Sequence, residues 1–154
     1  MRASGRTSTR SSIRTRRLGA DVRRPRGLID TSVVIDLPDV DAERLPMEMA
    51  ISAITLAELA AGPHATSDPA ERAKRQDRLQ RTEATFEPLP MDAAAARAYG
   101  RIHAALVVSG RKARGKHALD LLIAATAVAA GLPLYTRNPD DFFGLSDLLD
   151  IIAV

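Results

Sequence analysis

From Gly27 to Ile35 the chain reads Gly-Leu-Ile-Asp-Thr-Ser-Val-Val-Ile, a single carboxylate set between two apolar runs. This pattern predicts a buried strand that stops at Asp30 and turns at once into a helix capped by Thr31 or Ser32. A carboxylate at the carboxyl end of a strand in an α/β sheet sits where such folds build their sites. Asp30 is therefore expected to be the first ligand of a Mg²⁺ site. The other ligands must come from elsewhere in the chain.

Beyond Gly27 the chain alternates short apolar strands with helices. A helix over 32–37 is stopped by Pro38, and a short strand at 50–52 leads into a helix over 53–61 with Ser52 as its cap. Residues 69–85 predict a polar helix with Pro69 in its first turn and a solvated charged face. The run Phe86-Glu87-Pro88-Leu89-Pro90 fits only an edge strand, because its prolines remove ladder donors. Asp92 caps a helix over 93–108, and a nearly all-apolar helix over 118–130 ends at Gly131. Strands over 132–136 and 151–154 flank a short helix from Asp140 to Leu145. Alternation of this kind implies βαβ units. Two helices with little polar surface imply that both faces of the sheet are covered. The expected fold is a three-layer α/β/α domain with a mostly parallel sheet of four or five strands.

Residues 1–26 hold nine Arg, no Lys and one acid, Asp21. They cannot bury enough apolar surface to offset ordering entropy, so a disordered Arg-rich extension is expected there, ahead of a domain over 27–154. An over-long start assignment is the plain reading of the extension; an RNA-holding arm and a targeting segment are the others. The remaining residues carry 13 basic and 18 acidic groups, so the body is mildly acidic although the whole chain has a net charge of +3. The absence of cysteine excludes disulfides and thiolate zinc sites, and fits a cytoplasmic setting. No apolar run is long enough to span a bilayer, so no membrane partner is expected. Two Tyr, three Phe and no Trp argue against an RRM-type stacking sheet.

Two acids sit in apolar company. Glu58 lies in Ile54-Thr55-Leu56-Ala57-Glu58-Leu59-Ala60-Ala61, and Asp120 in His117-Ala118-Leu119-Asp120-Leu121-Leu122-Ile123. Burying an ionised carboxylate without a partner costs several kcal/mol. The plain alternatives are a partly exposed Glu58, and an Asp120 that meets a helix dipole or pairs with Arg114 or Lys116. A third acidic place, Thr136-Arg137-Asn138-Pro139-Asp140-Asp141-Phe142, lies just past the carboxyl end of a strand. One of Asp140 and Asp141 is expected to cap the helix. The other is left to face the cleft, with the Asn138 amide and the Thr136 hydroxyl. Several carboxylates without His or Cys partners suit Mg²⁺, or Mn²⁺ in its place, rather than zinc. Such sites commonly do phosphoryl chemistry. A dehalogenase-like phosphatase would need a second Asp where Ser32 stands. A receiver domain would need a Lys that Thr136-Arg137-Asn138 does not supply.

Four segments, Ile29-Asp30-Thr31-Ser32, Ala57-Glu58-Leu59 with Gly62, Asp120 to Ala127, and Thr136 to Phe142, together resemble the PIN-domain ribonucleases, and most of all the VapC-type toxins of type II toxin–antitoxin pairs. The resemblance implies a sheet of order 3-2-1-4-5 and a central Mg²⁺ site. It implies endonucleolytic cleavage of cellular RNA that inhibits translation and growth, usually by a homodimer. By motif position, Asp30, Asp120 and Asp141 carry over as metal ligands, and Glu58 as a ligand or as the group that positions the water. Family members differ in whether the position of Asn138 or of Asp141 supplies the last ligand. A small DNA-binding, VapB-like antitoxin is the implied partner. Arg111, Lys112, Arg114, Lys116, Arg137, Thr136 and Asn138 flank the expected site as candidates for holding RNA. The competing reading is a degenerate, non-catalytic PIN module that binds RNA or protein.

Overall fold

The structure, a computed structural model, describes residues 23–112 and 115–154, without the side chain of Lys116. Strand β1 (Arg26–Ile29) leads without a linker into helix α1 (Thr31–Ile35). Two 3₁₀ turns then precede β2 (Glu48–Ala50), and helices α2 (Ala53–Ala61), α3 (Pro69–Thr85), α4 (Ala93–Val108) and α5 (Lys116–Ala130) come next. Strand β3 (Leu134–Thr136), a 3₁₀ turn (Pro139–Phe142) and β4 (Ile151–Ala153) complete the domain. The sheet order is β2-β1-β3-β4 with every pairing parallel. The Phe86–Pro90 stretch adds one isolated parallel bridge, Ser52 to Leu89, beyond β2. It thus stands where a third strand belongs in the order 3-2-1-4-5, but its prolines keep it from becoming a full ladder.

Side chains alternate across the sheet, as a period of two demands. Leu28 and Leu134 point to one side, where they pack with Ala98, Ile102 and Leu106 of α4 and Leu121, Ala124 and Ala125 of α5. Ile29 and Tyr135 point to the other, into a cluster with Val33, Val34, Ile51 and Leu59 from α1, the β2–α2 junction and α2. These are the three layers. The small residues Ala95 and Ala98 on α4 are almost fully buried, and let α4 and α5 lie close together. Gly27 is required at its place because a Cβ there would run into the Tyr135 ring.

The folded body begins earlier than the sequence suggests. Arg26 is the first residue of β1. Arg23 donates to the carbonyl oxygens of Leu45 and Pro46, and Arg24 pairs with Asp150. The last four residues of the expected extension are therefore docked by guanidinium contacts, which apolar patterning does not reveal. The rest of that extension, residues 1–22, lies outside the described residues. The helices over 53–61, 69–85 and 93–108 match their expected bounds, and α5 starts two residues early. Leu37–Asp39 and Pro139–Phe142 wind as 3₁₀ rather than α, each with a Pro near the start of the turn.

Candidate metal centre

The chain runs from β1 to β2 on one side of β1, then returns to place β3 on the other. The crevice beyond the carboxyl ends of β1 and β3 is therefore the topological switch point, where open α/β sheets bind ligands. A cleft of about 200 Å³ opens there, lined by Asp30, Thr31, Ser32, Ile35, Asp36, Asp120, Asn138 and Asp141. Three of the four acids singled out from the sequence, Asp30, Asp120 and Asp141, thus meet in one place.

Asp30 is the helix cap itself, contrary to the assignment of that role to Thr31 or Ser32. The strand ends so close to α1 that the carboxylate is the group in range: its Oδ1 accepts from the Val33 N–H (3.0 Å) and from the Ser32 hydroxyl (2.6 Å). Both bonds fall on one oxygen of a side chain whose residue is 4% exposed. Ser32 Oγ in turn accepts from the backbone N–H of Arg137 (3.1 Å). A short relay therefore ties the end of β3 to Asp30. Ser32→Ala removes both bonds, and is expected to cost about 1 kcal/mol of stability and to reduce activity several-fold. Thermal unfolding alongside a steady-state assay checks this. An unchanged rate would show that the relay does not set the Asp30 position.

Asp120 lies in the second turn of α5 rather than the first, because the helix begins at Lys116, and its residue is 9% exposed. Asp141 sits in the 3₁₀ turn whose backbone is held by the bond from its own N–H to the Asn138 carbonyl. Asn138 lines the cleft, and its backbone N–H donates to Thr136 Oγ1 (3.0 Å). Thr136 itself is fully buried. It is thereby corrected from a substrate contact to the residue that shapes this loop: its hydroxyl serves the turn and has no surface left to offer. Asp140 does not line the cleft, and neither Asp caps the turn, which has no side-chain cap.

Glu58 is placed next door. It lines a separate cleft of about 300 Å³ with Thr31, Leu59, Gly62, Glu71, Arg75 and Arg78. Its carboxylate accepts from the Thr31 hydroxyl, and Thr31 and Ile35 form the wall common to both clefts. Glu58 is therefore connected to the Asp30 cleft through Thr31 rather than by lining it. Among the described residues, no three His, Asp or Glu side chains are grouped closely enough to enclose a metal ion as they stand.

Three residues of this region carry no clear signal in the sequence pattern. Asp36 lines the Asp30 cleft and pairs with Arg137 (Nε to Oδ2, 3.5 Å). Arg137, expected near the site, thus stands at its rim with its charge partly met. Arg75 and Arg78, on a helix expected to show a solvated face, line the Glu58 cleft, where Arg75 pairs with Glu71 and donates to the Gly62 carbonyl. Their spacing, with Glu71, of one helical turn per step was the available hint. Among the basic loop residues, Arg111 is bonded to the Asp140 carbonyl and Lys112 is exposed. Arg114 and the Lys116 side chain lie outside the described residues.

The PIN-domain family profile matches residues 27–145, which include all four segments and all four proposed acids. The chain belongs to the PIN-domain family. Within that family it is of VapC type. It is 38% identical to Ribonuclease VapC5 of Mycobacterium tuberculosis over 122 residues, 77% of this chain and 87% of that protein. It is 37% identical to Ribonuclease VapC4 of the same organism over 133 residues, 84% and 97% of the two chains. A crystal structure of the VapBC-5 toxin–antitoxin system from M. tuberculosis matches with a TM-score of 0.75 at 38% identity, covering 84% of this chain and 99% of that one. As the sequence pattern implies, the PIN fold here is an α/β/α sandwich around a parallel sheet.

The groups lining the PIN cleft that could bind a cation are the carboxylates of Asp30, Asp36, Asp120 and Asp141, the Asn138 amide oxygen and the Thr31 and Ser32 hydroxyls, with no His or Cys among the described lining residues. That set fits a hard divalent cation and does not fit zinc or copper.

Proposed function

We propose that this VapC-type protein is a Mg²⁺-dependent endoribonuclease, the toxin of a toxin–antitoxin pair, which acts in the cytoplasm as a homodimer and inhibits translation by cleaving cellular RNA. The observation that carries the reading is the meeting of Asp30, Asp120 and Asp141 in the switch-point cleft. The names of its relatives, which are ribonucleases, support it, and so does the toxin–antitoxin assembly of the matching structure. No helix among the described residues is long and apolar enough to cross a membrane.

Asp30, Asp120 and Asp141 are the residues that would hold Mg²⁺, with Mn²⁺ as a substitute. The bound ion supplies charge neutralisation at phosphate oxygens and a more acidic water. The chain's own groups do the rest. The α1 N-terminus and Ser32 fix the Asp30 carboxylate so that it does not reorganise during reaction. The Asn138 amide lines the cleft as a donor suited to a phosphate oxygen. Glu58, through Thr31, orients the cleft wall beside the attacking water. Hydrolysis would leave a 5′-phosphate and a 3′-hydroxyl. A small VapB-like, DNA-binding antitoxin would silence the enzyme by covering this cleft, since a guanidinium can pair bidentately with its carboxylates.

Metal linkage gives the cleanest test. Mg²⁺ at about 100 times its dissociation constant is expected to stabilise the chain by about 2.7 kcal/mol, seen as a rise in thermal midpoint, and the rise is expected to vanish in Asp120→Asn. RNA cleavage should appear with Mg²⁺ and stop with EDTA. Because no three acids among the described residues stand close enough to enclose a metal ion, a degenerate PIN module that binds RNA or protein without cleaving it is the second reading. A midpoint indifferent to Mg²⁺, with RNA bound but intact, would establish it. Growth arrest on induction, relieved by a neighbouring antitoxin gene, tests the toxin assignment in cells.

A further inference from the structure

Of the five aromatic residues in the chain, Tyr135 and Phe142 are buried, and Phe86 and Tyr99 are half-buried. Phe143 alone is exposed, at 66%. It stands two residues beyond Asp141, which lines the cleft, and is not itself one of the lining residues. The guanidinium carbon of Arg111 lies 5.4 Å from its ring centroid. Nη1 of the same guanidinium donates to the carbonyl oxygen of Asp140 (3.1 Å). Arg111 therefore fastens the loop after α4 to the 3₁₀ turn that carries Asp141. The contact is backed by Gly144, where a Cβ would come within 3.3 Å of Ser109 Oγ, so the end of α4 and the Phe143–Gly144 backbone are held close together.

Resting on the ribonuclease reading, we propose that Arg111 and Phe143 form a shelf that stacks one nucleobase of the RNA strand beside the scissile phosphate. The cleft is lined by carboxylates and repels a polyanion. Groups on its flanks are therefore needed to add binding energy for RNA to what the metal and the Asn138 amide supply. A flat ring next to a cation matches the two features a nucleotide presents together, a π-face and a phosphate. Stacking tolerates any base, so the shelf gives affinity and registers the strand more than it reads sequence. The shelf is a positioning device: it touches substrate next to the reacting phosphate but takes no part in the chemistry.

The chain has no tryptophan, so Phe143→Trp introduces a single emitter at the shelf. Placed on an Asp30→Asn background, it is titrated with a short single-stranded oligoribonucleotide and with an abasic ribose-phosphate oligomer of equal length. Saturable quenching by the first and none by the second is expected. In the otherwise intact enzyme, Phe143→Leu should raise KM about tenfold with kcat nearly unchanged, and Phe143→Tyr should restore it. No quenching, or a Phe143→Leu enzyme with the KM of the parent, overturns the shelf while leaving the ribonuclease reading intact. A parent protein that neither binds nor cleaves RNA overturns both. Emission that shifts with protein concentration before RNA is added, with loss of a dimer in Phe143→Leu on sedimentation, would show that a second copy covers Phe143, together with exposed Val107 and Val108, and this too overturns the shelf.

Discussion

Asp30→Asn is expected to abolish metal-dependent RNA cleavage, by more than about a hundredfold, in a chain that remains folded. The two halves of that result have different causes. Asn ranks with Asp as a helix cap, so its side-chain oxygen can still accept from the Val33 N–H and the α1 start survives. What is lost is the formal charge at the switch point, and with it one anionic ligand for Mg²⁺. Asp30→Ala would confound the two, because removing the cap costs about 1 kcal/mol in addition. The measurement is a single-turnover cleavage assay at saturating Mg²⁺, with circular dichroism and thermal midpoint as fold controls. Full cleavage by Asp30→Asn would remove Asp30 from the metal site, whatever the rest of the cleft does.

The layers were legible because their causes are local. The strand runs at 27–29 and 134–136, the caps Ser52 and Asp92, and the left-handed Gly131 after α5 all act within a few residues of where they are read. The central cleft was legible in part, since a carboxylate among Leu and Ile draws notice, and Asp30 and Asp120 both line it. Glu58 shows the limit. Its apolar neighbours marked it out, yet Glu58 is half-buried, as the plainer alternative had it, and whether it lines the Asp30 cleft or the adjoining one depends on Thr31 coming between, which no spacing encodes. Arg75 and Arg78 show the same limit from the other side: a charged helix face is the same string whether it meets solvent or a neighbouring carboxylate. Thr136 was misjudged because a strand-end hydroxyl can equally face the cleft or hold its own loop.

Phe142→Ala is expected to destabilise the protein by about 3–5 kcal/mol, a large part of the roughly 5–15 kcal/mol typical of a domain. Phe142 is 1% exposed and packs in the cluster that joins α4 and α5 to the sheet. Its neighbours there include Leu145 and Leu149, so truncation opens a cavity that this short segment cannot refill by itself. The consequence reaches the site, because Phe142 anchors the turn whose preceding residue is Asp141. Activity measured well below the unfolding transition should therefore fall as well, although the substituted side chain faces away from the cleft. Denaturant unfolding measures the first effect and an assay at low temperature the second. Phe143→Leu, one residue on, is the matched control: its ring lies mostly in solvent, and its thermal midpoint should stay within a degree or two of the parent. If the two variants unfold alike, the inward and outward assignment of this pair is wrong, and with it the placement of Asp141.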